Sequence, residues 1–179
     1  MLFPKPYADA VAKFRVPSGF LLVIAFAWLA APTLHSLAIG TPVSLLGLWL
    51  RGWAAGHLAK NRQLAAGGPY AYVRNPLYVG TLLVAAGLVI ATRRLELAVL
   101  FGAVFLLVYL PVIRNEEQHL RKIFPNYAAY AEQVPALIPY KAPLRAPGRF
   151  QSELYMRNQE YQALLGYLAG LLYLVWKAI

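Results

Sequence analysis

Two polar stretches of this 179-residue chain, at residues 57–78 and 114–130, combine residue types that could bind a charged, ring-bearing ligand. In the first, a Gly-Gly-Pro run at 67–69 breaks the backbone, and Asn75-Pro76 breaks it again. Irregular backbone at a membrane is tolerated where it lines a cavity or is buried in protein. The tyrosines, arginine and asparagine between the breaks suit a nucleoside or a carboxylate. An ordinary interfacial belt of tyrosine and arginine is the alternative, and composition alone favours it.

The second stretch places Glu116 and Glu117 directly after an apolar run. Glu117 and Arg121 have the i,i+4 spacing of an ordinary surface pair on a helix. Glu116 and His119 have the Glu-x-x-His spacing of di-iron bundles, but those sites need a second such pair and two further carboxylates. The chain has no second Glu-x-x-His, and its 3 histidines lie in unrelated segments, so we expect no metal site.

Composition narrows the class of protein further. Apolar residues make up 60% of the chain and charged residues 13%, with no cysteine. Soluble domains are usually about 45–50% apolar and about 25% charged, so these values predict a membrane protein. The net charge of +10 then marks loops that face the cytoplasm and touch anionic lipid headgroups. We expect no nucleic-acid partner. The chain lacks the G-x-S-x-G, P-loop and dinucleotide-binding motifs.

The elements that must position these residues are apolar segments, and a spanning helix needs about 20 apolar residues. We therefore predict an all-α, polytopic membrane protein with about five transmembrane helices in a single domain, residues 1–179. Residues 150–179 form an extra C-terminal helix, which either spans the membrane or lies in the interface. The predicted apolar segments are 17–39, 42–58, 77–91, 95–113 and 164–176.

Charge sets the predicted topology. The connection at 34–41 has no lysine or arginine, whereas 60–74 has three and 114–157 has seven. An N-terminus inside places both basic stretches, and the candidate site between them, on the cytoplasmic side. The tight turn at Arg93 and Arg94 predicts an antiparallel hairpin and puts these two residues outside, against the rule.

The second apolar segment holds two further features. Arg51 is costly in hydrocarbon, so it either faces protein or water, or lies near the helix end and extends to the interface. Gly52 and Gly56 form a small-xxx-small pair, which predicts close approach of another helix.

At the two polar stretches the sequence resembles a known family. Residues 68–80 resemble the segment G-[VP]-Y-x-[WY]-x-R-H-P-x-Y-x-G of isoprenylcysteine carboxyl methyltransferases. Residues 116–120 and 124–135 resemble the E-E-x-x-L and F-G-x-x-Y-x-x-Y-x-x-x-V-P tail of that family. The resemblance covers about residues 45–140. It is specific for the superfamily, which includes bacterial phospholipid N-methyltransferases, and not for the methyl acceptor.

The resemblance implies an integral-membrane methyltransferase that uses S-adenosylmethionine, bound in a cytoplasmic pocket. The implied partners are membrane lipids and a lipophilic small-molecule or lipid-modified acceptor, such as a prenylcysteine carboxylate or a phospholipid amine. Methyl transfer needs positioning and desolvation more than covalent help. Arg51, Arg114 and Glu117 are the candidate catalytic residues. The implied cofactor-binding residues are His57, Lys60, Arg62, Gln63, Leu64, Ala65, Tyr70, Arg74, Asn75, Pro76, Leu77, Tyr78 and Glu116.

Three positions depart from the family pattern, and one of them, Pro125 in place of the glycine of the tail, is compatible with a turn. Asn75 stands where the family has histidine, and an amide can donate a hydrogen bond but carries no proton at neutral pH. Val112 stands where the family has an acceptor-side arginine, which suggests a different acceptor. A membrane NADPH-dependent sterol or steroid reductase is the alternative function, although Gly80 is followed by Thr81 and not by the expected glutamate. A non-enzymatic lipid-binding protein is a third possibility.

Overall fold

The computed structural model describes residues 7, 10, 11 and 13–179, and this part of the chain contains helices and no strand. The predicted all-α class is confirmed. A 3-10 turn at Gly68–Ala71 precedes α3, and α4 contains a π-helical turn at Phe105–Tyr109. The α-helices are α1 (Arg15–Leu29), α2 (Leu34–Ala55), α3 (Pro76–Thr92), α4 (Leu95–Ile123), α5 (Tyr127–Gln133), α6 (Ser152–Arg157) and α7 (Tyr161–Ala178).

The predicted boundary between the first two apolar segments is wrong. The chain breaks at residues 30–33, and α2 continues across Pro42 without interruption. Thr33 and Ser36 explain the early start, because each side chain accepts a hydrogen bond from the other residue's backbone N–H. Ser36 also donates to the Ala91 carbonyl at 2.7 Å, which ties this helix start to the end of α3. Hydropathy alone did not reveal the break, since the apolar run continues through it.

Glycines hold α2 and α3 together as an antiparallel pair. A Cβ atom on Gly40 would lie 2.3 Å from the Gly87 carbonyl oxygen, and one on Gly47 would lie 2.6 Å from that of Gly80. These distances are too short for any side chain, so the two backbones touch directly. The Ser44 hydroxyl lies in the same contact and donates to the Val84 carbonyl at 3.0 Å.

The pair of Gly52 and Gly56 does not take part in this contact between α2 and α3 and lies instead beside the C-terminal chain. A Cβ atom on Gly56 would lie 2.1 Å from the ring of Phe150, and one on Gly52 would lie 3.5 Å from the ring of Tyr155. Both glycines instead leave room for the chain that enters and forms α6.

The predicted hairpin of α3 and α4 is present. Arg93 adopts a left-handed backbone (φ 58°), and α4 begins two residues later. Near the opposite end of the pair, Tyr78 of α3 packs with Phe105 and Ile113 of α4. By length and composition α4 is the one helix in the described part of the chain that is long and apolar enough to cross a membrane. The apolar helices Val16–Leu29 and Pro76–Thr92 are shorter.

The C-terminal helix α7 runs beside α1, α2 and α3. Glu160, at its start, contacts Arg51 near the end of α2, and Leu174 packs with Ala30, Leu37 and Ala91 at the other end. The helix therefore extends over most of the length of the α2–α3 pair. It also places Glu160, the residue before its first turn, at the end of the bundle where the two polar stretches meet.

Candidate functional site

A cavity of about 860 Å³ lies where α2 ends, α3 begins and α4 becomes polar. This volume is within the range of small-molecule binding sites, about 300–1,000 Å³. Apolar or small lining residues are Leu58, Leu64, Ala65, Leu77, Val112, Leu120 and Phe124. The polar, charged and tyrosine lining residues are Arg51, Lys60, Asn61, Gln63, Tyr70, Arg74, Tyr78, Thr81, Tyr109, Asn115, Glu116, His119, Tyr127, Tyr130, Asn158 and Glu160.

The irregular segment between the two backbone breaks is buried in protein, apart from the half-exposed ring of Tyr72. The backbone N–H groups of Arg74 and Asn75 donate to the carbonyls of Pro135 and Ala136 at 2.8 and 3.1 Å. These two bonds fasten the segment to the chain that follows α5. They satisfy backbone groups that have no helical partner.

The Arg74 side chain strengthens the same junction. Its guanidinium donates to Glu117 at 2.9 Å and to the carbonyls of Ala131 and Val134 at 2.9 and 2.6 Å. Burial alone would lower the pKa of this guanidinium, but the hydrogen bond and negative charge of Glu117 raise the pKa above its usual value. Arg74 therefore stays charged and fixes one wall of the cavity.

The adjacent carboxylates of α4 have different surroundings. Glu116 lines the cavity and accepts a hydrogen bond from the Tyr78 hydroxyl at 3.0 Å. Glu117 is not among the lining residues and accepts from Arg74 and from the Asn75 amide, the latter at 3.1 Å. Successive helical residues point about 100° apart, so one side chain faces the cavity and the next faces its supporting wall. Arg121, the sequence-predicted partner of Glu117, lies 5.5 Å over the Tyr127 ring.

Arg51 faces protein, which decides between its two predicted environments. Its Nε and Nη2 atoms donate to the two carboxylate oxygens of Glu160, at 2.5 and 3.0 Å. Its Nη1 atom donates to the Thr81 hydroxyl and, at 3.4 Å, to the Leu77 carbonyl. The guanidinium is thus held by a carboxylate fork on one side and by α3 on the other.

The chain after residue 148 completes the cavity, and sequence reasoning did not find this contribution. The Asn158 amide donates to the carbonyls of Ala55 and Leu58, each at 2.9 Å, and thereby caps the end of α2. The Gln151 N–H donates to the Gly56 carbonyl at 2.8 Å. The available sequence signal was the pair of polar residues Asn158 and Glu160 just before an apolar helix. This signal does not indicate which residues Asn158 and Glu160 contact.

Buried tyrosines form part of the lining. The Tyr130 hydroxyl donates to the Tyr70 carbonyl at 2.7 Å, and burial raises the pKa of both phenols. Burial, followed by the charge of Glu117, raises the pKa of Tyr127 to about 12. The guanidinium of Arg74 is close enough to lower that pKa slightly, yet the Tyr127 hydroxyl has no hydrogen-bond partner of acceptable geometry among the described residues. All three are neutral at physiological pH, and Tyr127 offers a ligand an unused polar group.

The structure brings many of the sequence-predicted residues together around this cavity. Those that line it are Arg51, Lys60, Gln63, Leu64, Ala65, Tyr70, Arg74, Leu77, Tyr78 and Glu116.

Six predicted residues are not among the lining residues. The Nδ1 atom of His57 lies 2.9 Å from the Trp53 carbonyl oxygen, so this ring nitrogen is engaged with the backbone of its own helix end. Asn75 is engaged with Glu117 and with the Ala136 carbonyl. Pro76 is fully buried in the first turn of α3. The side chains of Arg62 and Arg114 are exposed, and Glu117 faces Arg74.

Comparison with known proteins places this arrangement in context. The sequence profile of the phospholipid methyltransferase family matches residues 22–127. The chain is 35% identical to the cobalt-zinc-cadmium resistance protein CzcN of Cupriavidus metallidurans, over 63% of this chain and 51% of that protein. It is 34% identical to the nickel-cobalt-cadmium resistance protein NccN of Alcaligenes xylosoxydans xylosoxydans, over 63% and 52%.

A third relative carries an enzyme name. The chain is 29% identical to the protein-S-isoprenylcysteine O-methyltransferase of Schizosaccharomyces pombe, over 75% of this chain and 59% of that protein. The chain spans about half the length of the curated relatives that it matches. No solved structure matches it. The resemblance seen in the two sequence motifs is therefore confirmed at the level of the superfamily.

Proposed function

Because this chain belongs to the phospholipid methyltransferase family, we propose that it is a membrane methyltransferase that uses S-adenosylmethionine to methylate a lipophilic acceptor. The observation that carries the proposal is the cavity at the bundle end, where Glu116 and Tyr78 are joined at 3.0 Å. These residues come from the two separate sequence motifs. The acceptor classes compatible with the family are an isoprenoid or prenylcysteine carboxylate and a phospholipid amine.

The lining residues fit the chemical groups of this cofactor. The Glu116 carboxylate can accept hydrogen bonds from ribose hydroxyls or from an ammonium group, with Tyr78 fixing its orientation. Tyr78 and Tyr109, whose ring centroids are 6.2 Å apart in an edge contact, both line the cavity, and an aromatic face there would stabilise a nearby cation. Lys60 supplies a positive charge for a carboxylate. The Tyr127 hydroxyl, which has no hydrogen-bond partner within the described part of the chain, is a buried polar group that a ligand would satisfy.

The proposed chemistry asks for positioning and exclusion of water. When bound, S-adenosylmethionine supplies an electrophilic methyl group that an acceptor lone pair can attack. The residues of the chain hold the reactants in line and replace water by fixed dipoles. A serine or cysteine nucleophile is not needed for this displacement. Of the predicted catalytic residues Arg51, Arg114 and Glu117, only Arg51 lines the cavity, so Arg51 is the one that we propose faces the acceptor.

The proposed placement is a single multi-pass membrane domain with the cavity open to the cytoplasm. Many large apolar side chains are exposed on α1, α2, α4 and α7, as expected for surfaces that contact lipid. Lys60, Arg74 and Arg121 lie at the cavity end, where the positive-inside rule puts basic residues. The exposed apolar side chains include Phe20, Ile24, Trp28, Leu46, Trp49, Leu106, Leu107, Leu172 and Trp176.

Cysteine labelling tests this topology directly, because the chain has no cysteine of its own. Gln63 and Gln133 are both exposed, so single Gln63→Cys and Gln133→Cys variants are suitable reporters. Both should react with a membrane-impermeant maleimide only from the cytoplasmic side. Labelling of either from the opposite side would contradict the proposed orientation.

Ligand titration separates the candidate functions. Purified protein in maltoside detergent is titrated calorimetrically with S-adenosylmethionine and with NADPH, and then incubated with methyl-labelled cofactor and membrane lipids. We expect binding of S-adenosylmethionine and label in the lipid fraction. Glu116→Gln should weaken this binding, and the exposed Glu153→Gln serves as the charge-matched control. Binding of NADPH alone would favour the reductase, and binding of neither would favour a lipid-binding protein.

A further inference from the structure

One end of the cavity is built around an ion pair. We name this region the Arg51 end; it consists of Arg51, Leu77, Thr81, Tyr109 and Glu160, which all line the cavity. Its carboxylate comes from the C-terminal chain, beyond residues 22–127 that match the family profile. The pair is therefore a property of this chain that the family match does not describe.

Glu160 occupies the guanidinium fork of Arg51. The two carboxylate oxygens accept from Nε and Nη2, and the Nη1 atom is used by Thr81 and the Leu77 carbonyl. A planar guanidinium with a free fork is the preferred receptor for a carboxylate or phosphate. Here that fork is filled by a residue of the protein. The Arg51 side chain is nevertheless 23% exposed, so a ligand can reach it, while Glu160 is only 9% exposed.

The position of Glu160 beside Arg51 is fixed by its neighbours in the chain. It directly precedes the first turn of α7, where the helix dipole favours a negative charge. Asn158, two residues earlier, is anchored to the end of α2 by two hydrogen bonds of 2.9 Å. The carboxylate is thus delivered to Arg51 by a fixed piece of chain and does not have to be ordered when a ligand arrives.

The other arginines near the cavity cannot replace Arg51 as an anion receptor. The Nε atom of Arg74 donates to Glu117, and its Nη1 atom donates to the carbonyls of Ala131 and Val134. Arg114 is exposed and does not line the cavity. Lys60, a lysine that lines the cavity, belongs to the loop that follows α2 and not to the Arg51 end.

We propose that Glu160 is a specificity-determining residue: by neutralising Arg51 it makes the Arg51 end accept an amphiphile with a neutral or cationic head and reject one with an anionic head. The inference rests on the proposed function, since it concerns the lipophilic acceptor. Without Glu160, the guanidinium fork of Arg51 would be free to bind a carboxylate. One residue of the C-terminal chain thereby sets the sign of the charge that the cavity prefers.

Two water-soluble amphiphiles with equal tails test this proposal, octanoate and octylammonium. Each is titrated calorimetrically into purified protein in maltoside detergent without S-adenosylmethionine. Glu160→Gln should raise the affinity for octanoate and lower that for octylammonium, so that the ratio of the two affinities changes by about tenfold or more. Arg51→Gln leaves the carboxylate without its partner and should change the ratio in the opposite direction. Glu153→Gln removes an exposed carboxylate of α6 and should leave the ratio unchanged.

The opposite signs keep the test informative if one variant does not fold. A pair with a purely structural role would weaken both probes together in either variant, which would overturn the proposal. An unchanged ratio in a folded variant, or a wild-type protein that binds neither probe, would overturn it as well. The test measures binding and not methyl transfer. Its result therefore stands even if the protein proves to have no methyltransferase activity.

Discussion

Two arginine–glutamate pairs lie within the same bundle end but have different roles. Arg74 and Glu117 are 13% and 17% exposed, and Arg51 and Glu160 are 23% and 9% exposed. The Nη1 atom of Arg74 donates to two backbone carbonyls, and its carboxylate partner is not among the residues that line the cavity. In the other pair both partners line the cavity.

The difference between the pairs follows from what each guanidinium holds. The pair of Arg74 and Glu117 joins the start of α3 to α4 and secures the chain at residues 131–136, so it builds the wall. The pair of Arg51 and Glu160 joins α2 to the chain before α7 and faces the space where a ligand would lie. The same residue chemistry therefore fixes a wall in one place and, as we propose, selects the ligand in the other.

The largest expected effect is the loss of the wall. Arg74→Ala removes the donors to Glu117, Ala131 and Val134 and leaves a poorly solvated carboxylate without its counterion. Removing one partner of such a pair costs about 3–5 kcal/mol of unfolding free energy. Denaturant unfolding in detergent measures it, with Arg51→Ala as the matched variant, whose loss should be smaller because the Arg51 side chain is more exposed than that of Arg74, 23% against 13%. A loss of equal size in both variants would remove the distinction between the pairs.

The next effect separates the two neighbouring carboxylates of α4. Glu116→Gln should weaken binding of S-adenosylmethionine by about 1–3 kcal/mol, because a charged hydrogen bond to the ligand is lost. Glu117→Gln should instead lower the unfolding free energy and change the dissociation constant less, since Glu117 contacts Arg74 and Asn75. Calorimetric titration and thermal unfolding are measured on both variants. Equal, small changes in binding would argue against a ligand role for Glu116.

A smaller effect is expected at Asn75. The resemblance implies a cofactor contact there, but the structure engages the Asn75 amide with Glu117 and Ala136. Asn75→Leu should therefore lower the unfolding free energy by about 1 kcal/mol and change the cofactor dissociation constant little. Asn75→His, which keeps a donor, is the control. A tenfold higher dissociation constant with unchanged stability, about 1.4 kcal/mol, would support the direct contact instead.

The smallest expected change in stability concerns Tyr127 and Tyr130, two buried tyrosines near Arg74. Tyr130→Phe loses the 2.7 Å hydrogen bond to the Tyr70 carbonyl and should cost about 1 kcal/mol of stability. Tyr127→Phe removes a hydroxyl that has no hydrogen-bond partner in the described structure, so its stability should stay within about 0.5 kcal/mol. Thermal unfolding of the protein without added ligand distinguishes them. A clear loss for Tyr127→Phe would indicate that Arg74 and Tyr127 do bond.

Local features of the sequence were sufficient for the helical class and for the hairpin. Apolar runs of helical length predict the helices, and the turn at Arg93 and Arg94 marks the hairpin, because both features depend on residues close together in the chain. The two motifs likewise predicted residues such as Tyr70, Tyr78 and Glu116, which the fold brings to one cavity.

Contacts between distant residues required the tertiary structure. The break before α2 is set by Thr33 and Ser36 together with Ala91, and not by the hydropathy of the run. The helix contact uses glycines other than the pair at Gly52 and Gly56, because which small residues meet depends on the rotation of both helices.

The ion pairs show the same limit most directly. The sequence by itself placed an arginine near the end of α2 and two carboxylates after an apolar run. It offered Arg121 as the partner of Glu117 by spacing, while the fold supplies Arg74 across 43 positions of chain. Glu160 reaches Arg51 across 109 positions. Charge pairing acts through space over a few ångströms, so only the packing of α2, α4 and α7 could decide which charges meet.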